Sequence, residues 1–538
     1  MAGQTPDDEI AAAETEPAAE ETAFILEQDK RLSESLIWHL QENFFDKQGI
    51  NSWRDGIVPH YITSNAFIAD AYARVVFGFL RDCTPPDRSR PVYIVELGCG
   101  HGRFAFHFLK KFKDLHSRSP LKETPFKYIM SDTSERNIEF WRTHEKFQPY
   151  LEEGLLDFAR FDPARGQELK LMHGGETLSA ESIAHPMVFI SNYFFDGIPH
   201  DAFHIKDGKL HESLVTVSSP QEEPDPSDPE IIGRMKLSYE HRPAEVDYYD
   251  DPEWNNILRR YTDRLAETAF LFPAGALECI ANLRRLAGGG MLLISADQGA
   301  SREDELQGCE EVGLAVHGSF SFRVNYHALG EYASAAGGAA LLPRHRANSL
   351  VVSAFLFGDH PGGFVETRRA YEGSVESFGP DDFFVLKNAI RDNLGNYSLE
   401  QLLAFVRLSC FDAAILMNCF PAMLPLLNDA SEIQKRETYN LIHKVWETYY
   451  SFGESTDVPF HLAGLLCQMR YYREALEFFD LSVKEYGYSP GTYFNMALCH
   501  VGLREMDRAL ECVHKALEME PDFDPARGLR VQLESATD

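Results

Sequence analysis

The chain has 538 residues, a hydrophobic fraction of 44% and a formal net charge of −32. A chain of this length is too long to fold around one compact core, so two or three globular domains are expected. The negative charge repels phosphate backbones, and no apolar run approaches the ~20 residues that span a bilayer, so neither nucleic acid nor a membrane is expected as a partner.

Residues 1–30 are rich in Ala and Glu and contain nine acidic residues against one lysine. We expect a disordered acidic N-terminus, because such a segment cannot bury enough apolar surface to fold. It has neither the apolar stretch of a secretory signal nor the arginines of a mitochondrial presequence. The nine cysteines include no C-x-x-C pair. The sequence therefore predicts a cytoplasmic protein with no metal site and no disulfide framework.

Residues 31–82 have apolar side chains at helical spacing, which predicts a leading group of helices. Beyond Pro91, short β-branched or apolar runs alternate with helical stretches. This alternation predicts an α/β domain with a parallel sheet covered by helices on both faces. The predicted strands are residues 92–97, 126–130, 155–161, 187–191, 291–296 and 350–357.

Two further features complete the predicted domain organisation. Residues 202–217 resemble a hairpin that turns at Asp207 and Gly208. After a break at 358–363 no strand pattern recurs, so the rest of the chain is expected to be helical. We therefore predict an α/β domain over 31–360, a helical connector over 361–455 and a repeat domain over 456–538.

A glycine-rich turn, V-E-L-G-C-G-H-G-R-F over residues 95–104, follows the first predicted strand and opens a helix. Glycines at 98, 100 and 102 allow a tight turn and a close approach to a ligand. A dinucleotide fingerprint would need glycine where Arg103 stands. Glu96 would repel a pyrophosphate but attract the ammonium of a methionine moiety. The turn thus favours S-adenosylmethionine over NAD, with Glu96, Gly98, Gly100 and Gly102 as cofactor-binding residues; a turn without a ligand is the alternative.

The next two predicted strands end in candidate cofactor residues. Asp132 could accept hydrogen bonds from both ribose hydroxyls, or it could cap the helix that follows. Phe161 could border the adenine and Asp162 could accept from its amino group, unless this is an ordinary turn at a strand end.

The fourth strand leads into N-Y-F-F-D-G-I-P over residues 192–199. Ligands of open parallel sheets lie at the carboxyl ends of the strands. Asn192 or Asp196 could orient an attacking nitrogen there as catalytic residues, and aromatic faces suit a sulfonium cation. The alternative is an aromatic core cluster with a capping aspartate.

These motifs resemble the MidA-like methyltransferases, a family that includes a mitochondrial protein arginine methyltransferase assisting respiratory complex I assembly. The resemblance covers roughly residues 38–357. It includes H-Y-I-T-S-N at 60–65, the glycine turn, residues 192–199, S-A-D-Q-G at 295–299, and H-G-S-F at 317–320 followed by V-N-Y-H-A-L at 324–329. It implies a Rossmann-like, seven-stranded class I methyltransferase sheet. The chain departs from the family at Tyr193 and Asn325, where the family has carboxylates that could steer a guanidinium.

The predicted acceptor pocket lies at the fourth strand, because the cofactor's methyl group must point away from the adenine. Its expected mouth consists of 63–65, 192–196 and 324–326, with the substrate-binding residues Thr63, Ser64, Tyr193, Asn325 and Tyr326.

Two C-terminal segments, Y-R-E-A-L-E-F-F at 472–479 and M-D-R-A-L-E-C-V at 506–513, match at a 34-residue offset. Ala475 and Ala509 take the small-residue position of tetratricopeptide repeats, whose stacked helices expose a concave peptide groove. The sequence thus predicts a methyltransferase that docks a protein partner or substrate through these repeats. The alternatives are a purely structural helical cap and a catalytically silent scaffold.

Overall fold

The computed structural model describes residues 24–83, 87–164, 168–288, 290–358 and 363–537. They divide into two compact units, Met1–Val385 and Leu386–Asp538. The α/β class of the first unit and the helical character of the C-terminal region are confirmed.

The described strands, in chain order, are β1 (Phe24–Lys30), β2 (Val92–Leu97), β3 (Phe126–Asp132), β4 (Leu156–Arg160), β5 (Leu169–Lys170), β6 (Thr177–Leu178), β7 (Met187–Asn192), β8 (Asp201–Lys206), β9 (Lys209–Ser219), β10 (Lys236–Pro243), β11 (Thr268–Phe272), β12 (Met291–Asp297), β13 (Gly299–Ala300), β14 (Ala315–His317), β15 (Ser319–Ser321), β16 (Val324–Asn325), β17 (Ala339–Leu341) and β18 (Val351–Phe357).

The helices described in the first unit are α1 (Ile37–Gln48), α2 (Asn51–Arg54), α3 (Tyr61–Ser64), α4 (Ala66–Cys83), α5 (Arg103–Ser117), α6 (Glu135–Thr143), α7 (Gln148–Glu152), α8 (Pro252–Arg264), α9 (Ala274–Leu286), α10 (Tyr326–Ala335) and α11 (Val365–Tyr371). Helix α12 (Pro380–Arg391) runs across the division between the units. The helices described in the second unit are α13 (Leu399–Leu408), α14 (Ala413–Leu426), α15 (Glu432–Thr448), α16 (Val458–Gln468), α17 (Tyr472–Tyr486), α18 (Pro490–Gly502), α19 (Met506–Met519) and α20 (Asp524–Thr537).

The main sheet has seven strands in the order β17-β18-β12-β7-β2-β3-β4. Strands β12, β7, β2, β3 and β4 run parallel, and β18 runs antiparallel to both of its neighbours. Strand β2 is buried along its whole length, as expected for an apolar strand covered on both faces. The carboxyl ends of five strands therefore meet at one edge, where the predicted site residues lie.

A second, antiparallel sheet joins β1, β9, β8 and β11, with β10 also paired to β9. The hairpin at Asp207 and Gly208 is confirmed, and both residues have positive φ angles. The expectation of disorder is wrong for residues 24–30, which form β1 against β9. Leu26 packs against the apolar cluster beneath this sheet, and that burial compensates for the acidic composition. The remaining residues of the predicted N-terminal segment, 1–23, lie outside the described residues.

The first unit extends beyond the expected boundary at residue 360. The carboxylate of Asp82 accepts hydrogen bonds from the backbone N–H groups of Glu366 and Thr367, at 3.1 and 2.8 Å, and so caps α11. At Gly78 of α4, a Cβ would lie 2.7 Å from the carbonyl oxygen of Glu366. These contacts require α11 to pack directly on α4, so part of the predicted connector belongs to the α/β unit.

In the second unit, α16 packs on α17, α18 on α19, and α19 on α20. Ala475 and Ala509 are fully buried, as expected at a helix–helix contact. Ala497, Ala516 and Ala526 are buried in the cluster between α18, α19 and α20. Among the helices of the described segments, none combines the length and hydropathy needed to cross a bilayer.

Candidate functional site

The glycine turn connects β2 to α5 in a backbone conformation that favours glycine. The φ angles of Gly98, Gly100 and Gly102 are +65°, +53° and +82°. A Cβ at Gly98 would lie 2.9 Å from Cδ2 of Phe194, and one at Gly100 would lie 2.9 Å from Cζ2 of Trp53. The turn is therefore bordered by two aromatic rings that leave no room for side chains. Trp53 was not predicted, because it is distant from the turn in sequence.

Glu96 lies one residue before the end of β2 and is almost fully buried. The hydroxyl of Tyr128 donates to its Oε2 at 2.6 Å. Burial raises the pKa of Glu96 to about 7, although the hydrogen bond from Tyr128 opposes that shift. Within the described part of the chain, no lysine or arginine contributes to the pKa of Glu96. A ligand ammonium would supply the missing positive charge, so this carboxyl group fits the methionine end of S-adenosylmethionine.

Asp132 ends β3 and is tied to the glycine turn. Its Oδ2 accepts from the backbone N–H of Gly100 at 3.1 Å and from Nδ2 of Asn137 at 3.3 Å, and its Oδ1 accepts from the N–H of Ser134 at 3.0 Å. Burial raises the pKa of Asp132, while these hydrogen bonds lower it. The residue stands at the edge expected for a ribose ligand, but in this structure its carboxylate organises the turn and the start of α6.

The end of β4 combines a buried ring with a turn. Phe161 is buried, and its ring centroid lies 6.3 Å from that of Phe194. It thus belongs to the aromatic border of the glycine turn. Asp162 accepts from the N–H of Ala164 at 2.9 Å, which is the strand-end turn foreseen as the alternative to adenine binding.

Asn192 at the end of β7 joins three elements. Its Oδ1 accepts from the hydroxyl of Tyr72 on α4 at 2.9 Å, and its Nδ2 donates to the carbonyl oxygen of Thr63 on α3 at 3.4 Å. The expected proximity of Thr63 and Asn192 is therefore observed. Tyr72 already donates to Oδ1. The side chain of Asn192 is therefore better suited to holding the end of β7 in place than to binding a methyl acceptor by itself.

The backbone is strained directly after Asn192. Tyr193 has a φ of +48°, a conformation that costs free energy in a residue with a side chain. Its N–H donates to the carbonyl oxygen of Ala296 at 2.9 Å, and the N–H of Phe194 donates to Oδ1 of Asp297 at 3.0 Å. These bonds to the end of β12 hold the strained turn, so the two strand ends are fixed together.

The carboxyl groups of Asp196 and Asp297 interact across this edge. They share a hydrogen bond, and the hydroxyl of Tyr326 donates to Oδ2 of Asp297 at 2.8 Å. Asp297 is fully buried whereas Asp196 is half-buried. Burial raises the pKa of Asp196 to about 7, and burial together with the neighbouring carboxylate raises the pKa of Asp297 well above its usual range. Asp297, the more deeply buried of the two, therefore holds a proton more strongly, and the pair titrates as a unit.

Two predicted substrate-binding residues do not line an open mouth. Asn325 is buried and caps α10: its Oδ1 accepts from the N–H of Ala328 at 2.9 Å, and its Nδ2 donates to the carbonyl of Leu271 at 3.0 Å. Tyr326 is fully buried and supports Asp297 from within the core. Helix α10 directly follows the two-residue strand β16 and begins in the packed interior, where both side chains lie.

The segment around α3 is also more buried than expected. The hydroxyls of Thr63 and Ser64 both donate to the carbonyl oxygen of His60, at 3.2 and 2.7 Å. The ring of His60 lies 4.7 Å from that of His101 in the glycine turn. Thr63 and Ser64 thus shape the wall between the turn and Asn192.

Comparison with known proteins gives one family match. Residues 73–312 match the family described as "Putative S-adenosyl-L-methionine-dependent methyltransferase". The match covers less than half of the chain and supports the predicted methyltransferase class. It confirms the predicted cofactor, S-adenosyl-L-methionine. A search of curated proteins gave no significant match.

The solved structures that are similar to the chain include three with low sequence identity. An uncharacterised protein from Burkholderia thailandensis has 12% identity and a TM-score of 0.39, over 62% of this chain and 89% of that one. A protein from the same organism, bound to S-adenosyl-homocysteine, has 12% identity and a TM-score of 0.35, over 62% and 95%. A double mutant of MamA RS-1 has 16% identity and a TM-score of 0.24, over 29% and 83%.

Proposed function

We propose that the chain transfers a methyl group from S-adenosylmethionine to a nitrogen of a protein, with an arginine guanidinium as one candidate acceptor. The observation that carries this proposal is the buried Glu96 beside three positive-φ glycines at the carboxyl end of β2. The strand order around it, with five parallel strands and an antiparallel β18, supports a Rossmann-like class I methyltransferase sheet.

The cofactor would lie across the ends of β2, β3 and β4. Glu96 would bind the ammonium, and the N–H groups at the start of α5 would face the carboxylate. Asp132 would contact the ribose, and Phe161 with Asp162 would border the adenine. When bound, S-adenosylmethionine supplies an electrophilic methyl group on a positively charged sulfur.

The protein's part in the reaction is alignment and proton removal. The strained turn at Tyr193 and the bridge from Tyr72 to Asn192 fix the edge against which the acceptor nitrogen would lie. As the nitrogen–methyl bond forms and the sulfur–methyl bond breaks, the nitrogen's proton passes to the ionised carboxylate of Asp196. A pKa of about 7 suits this role, because the group is partly ionised at neutral pH and still basic.

The C-terminal helices would recruit the protein substrate. The paired packing of α16 to α19 and the buried alanines at corresponding positions support tetratricopeptide repeats. Protein docking through these repeats and a cytoplasmic location are part of this proposal.

A second candidate is a methyltransferase fold that acts as a scaffold without turnover. Asp132 favours it, because both of its oxygens are already engaged by Gly100, Ser134 and Asn137. Tyr193 also favours it, since the resembling family has a carboxylate at that position.

Incubation of the full chain with methyl-tritiated cofactor and a cell proteome distinguishes the two candidates. The enzyme proposal expects a labelled protein whose labelling is lost in Glu96→Gln and strongly reduced in Asp196→Asn. Asp263→Asn, an exposed change on α8, is the matched control and should label normally. Cofactor binding without any labelled product would instead support the scaffold.

A further inference from the structure

A cavity of about 420 Å³ lies where β12 ends and β18 begins. Its lining begins with Gln298 and Gly299, which directly follow Asp297, and includes Arg323. Arg323 follows Phe322, whose N–H donates to the carbonyl oxygen of Asp196 at 3.1 Å. The segments that hold the aspartates thus continue into the cavity wall.

The lining is cationic in a protein of net charge −32. It contains two arginines and no acidic residue, and it is completed by residues 346–351. Arg323 donates from Nη2 to the carbonyl oxygen of Gly299 at 3.0 Å, which uses one of its five N–H donors. Arg346 is largely exposed, and its Nε lies 3.9 Å from Oε1 of Glu305.

The cavity wall is held in place on both sides. Strands β13 and β16 pair in parallel, and the N–H of Val324 donates to the carbonyl of Gln298 at 2.8 Å, which fixes Arg323 beside Gly299. On the other side, the carboxylate of Asp381 accepts from the N–H groups of residues 348, 349 and 350 at 2.7–2.9 Å. Those amides are therefore engaged, and an anion in the cavity would be bound by the arginine side chains.

The cavity is separate from the proposed cofactor position. Strand β12 pairs with β7, and β7 pairs with β2. Two strand spacings separate the cavity from the glycine turn, roughly 10 Å. The carboxylate of the cofactor's methionine moiety would lie at the start of α5. Asp196 would lie between that carboxylate and the cavity.

From this arrangement we infer that Arg323 and Arg346 bind an anionic group, a carboxylate or a phosphate, carried by the methyl acceptor. That the anion belongs to a methyl acceptor rests on the proposed function. The anion site itself is inferred from the lining of the cavity alone. Guanidinium groups match both oxyanions in geometry and charge. An anion held here would place the rest of the acceptor over Asp196, so the site selects acceptors with a negative charge near the methylated nitrogen.

The test measures binding of succinate and of inorganic phosphate to the full chain at low ionic strength, from the broadening of their ¹H and ³¹P NMR signals. We expect saturable binding of at least one anion, with the dissociation constant raised roughly tenfold or more in the Arg323→Gln/Arg346→Gln double variant. Arg344→Gln is the matched control: it lies on the same loop, is exposed, and does not line the cavity. Preference for succinate would assign a carboxylate, and preference for phosphate would assign a phosphate.

Equal broadening in the wild type, the double variant and Arg344→Gln would overturn the inference, as would no broadening in the wild type. Titration with S-adenosylhomocysteine separates this result from the proposed function. The double variant should bind it as the wild type does, so loss of anion binding with intact cofactor binding would locate the effect in the cavity.

Discussion

Asp297 at the end of β12 shares a hydrogen bond with the half-buried carboxyl group of Asp196, which lies beyond the end of β7. The two side chains are chemically identical, but their surroundings give their carboxyl groups different pKa values. Burial and the neighbouring carboxylate keep Asp297 protonated, whereas Asp196 ionises near neutral pH. In the proposed reaction Asp297 would position Asp196, and Asp196 would accept a proton from the substrate.

The pH dependence of methyl transfer should follow Asp196. In the proposed reaction its carboxylate is the active form, so the rate should rise through about pH 7, where its pKa lies. Asp297→Ala removes the shared hydrogen bond and should shift the midpoint up by about one pH unit or more. Asp297→Asn retains a donor and should keep the midpoint closer to that of the wild type. Rates of tritium transfer against pH measure this, and an unchanged midpoint in Asp297→Ala would exclude the role.

Stability should depend on pH through the same buried acids. The pKa of Asp196 and that of Glu96 are raised to about 7 in the fold, from ordinary values of 3.8 and 4.5. The folded state therefore binds more protons than the unfolded chain between about pH 4 and 7, so the free energy of unfolding should fall as pH rises through that range. Asp297→Asn should gain stability relative to the wild type as pH rises. Denaturant unfolding at pH 5 and pH 8 tests this; a pH-independent difference would contradict it, and Asp263→Asn serves as the exposed control.

Tyr128 should affect how strongly Glu96 binds the ammonium group of the cofactor. Tyr128→Phe removes the hydrogen bond to Glu96 and should raise the pKa of that carboxyl further above 7. Since the ionised form binds a cation, affinity for S-adenosylhomocysteine at pH 7 should fall by about 5- to 20-fold, equivalent to ~1–2 kcal/mol. The loss should shrink at pH 8.5. A loss of the same size at both pH values would mean that Tyr128 acts through packing instead.

Asn192 and Tyr72 should affect turnover more than cofactor affinity. Asn192→Ala should reduce the rate by ~10²-fold, because it loosens the edge against which the acceptor is aligned. Tyr72→Phe, which removes the hydrogen bond to Oδ1, should lower the rate in the same direction but less. Both variants should bind S-adenosylhomocysteine within a few-fold of the wild type. If Asn192→Ala loses cofactor or unfolds, the residue belongs to the cofactor site or to the core.

The parts of the site that the sequence predicted consist of residues close to one another along the chain. Glu96 and the glycines lie in one strand–turn–helix segment, so their proximity follows from chain connectivity. Asp132 was foreseen because adjacent parallel strands end at a common edge. The role of Asp297 was missed because it depends on the pairing of β12 with β7, which no local pattern specifies.

Two differences between expectation and structure also have physical causes. Asn325 was expected at a pocket, but its amide caps α10, because a helix that begins in the interior needs a buried acceptor. Residues 24–30 were expected to be disordered, but the free edge of β9 pairs with them. Both outcomes depend on long-range packing, which overrides local composition.

The most direct test of the central claim is isothermal titration of S-adenosylhomocysteine into the full chain. We predict binding at one site that is lost or severely weakened in Gly100→Ala, because a Cβ there meets Trp53 at 2.9 Å and strains a turn with φ +53°. Gly154→Ala carries a comparable backbone penalty at φ +71° but has open space around it, so it should bind like the wild type. A folded wild-type protein that shows no binding, or equal binding by Gly100→Ala, would contradict the assignment of this turn as the cofactor site.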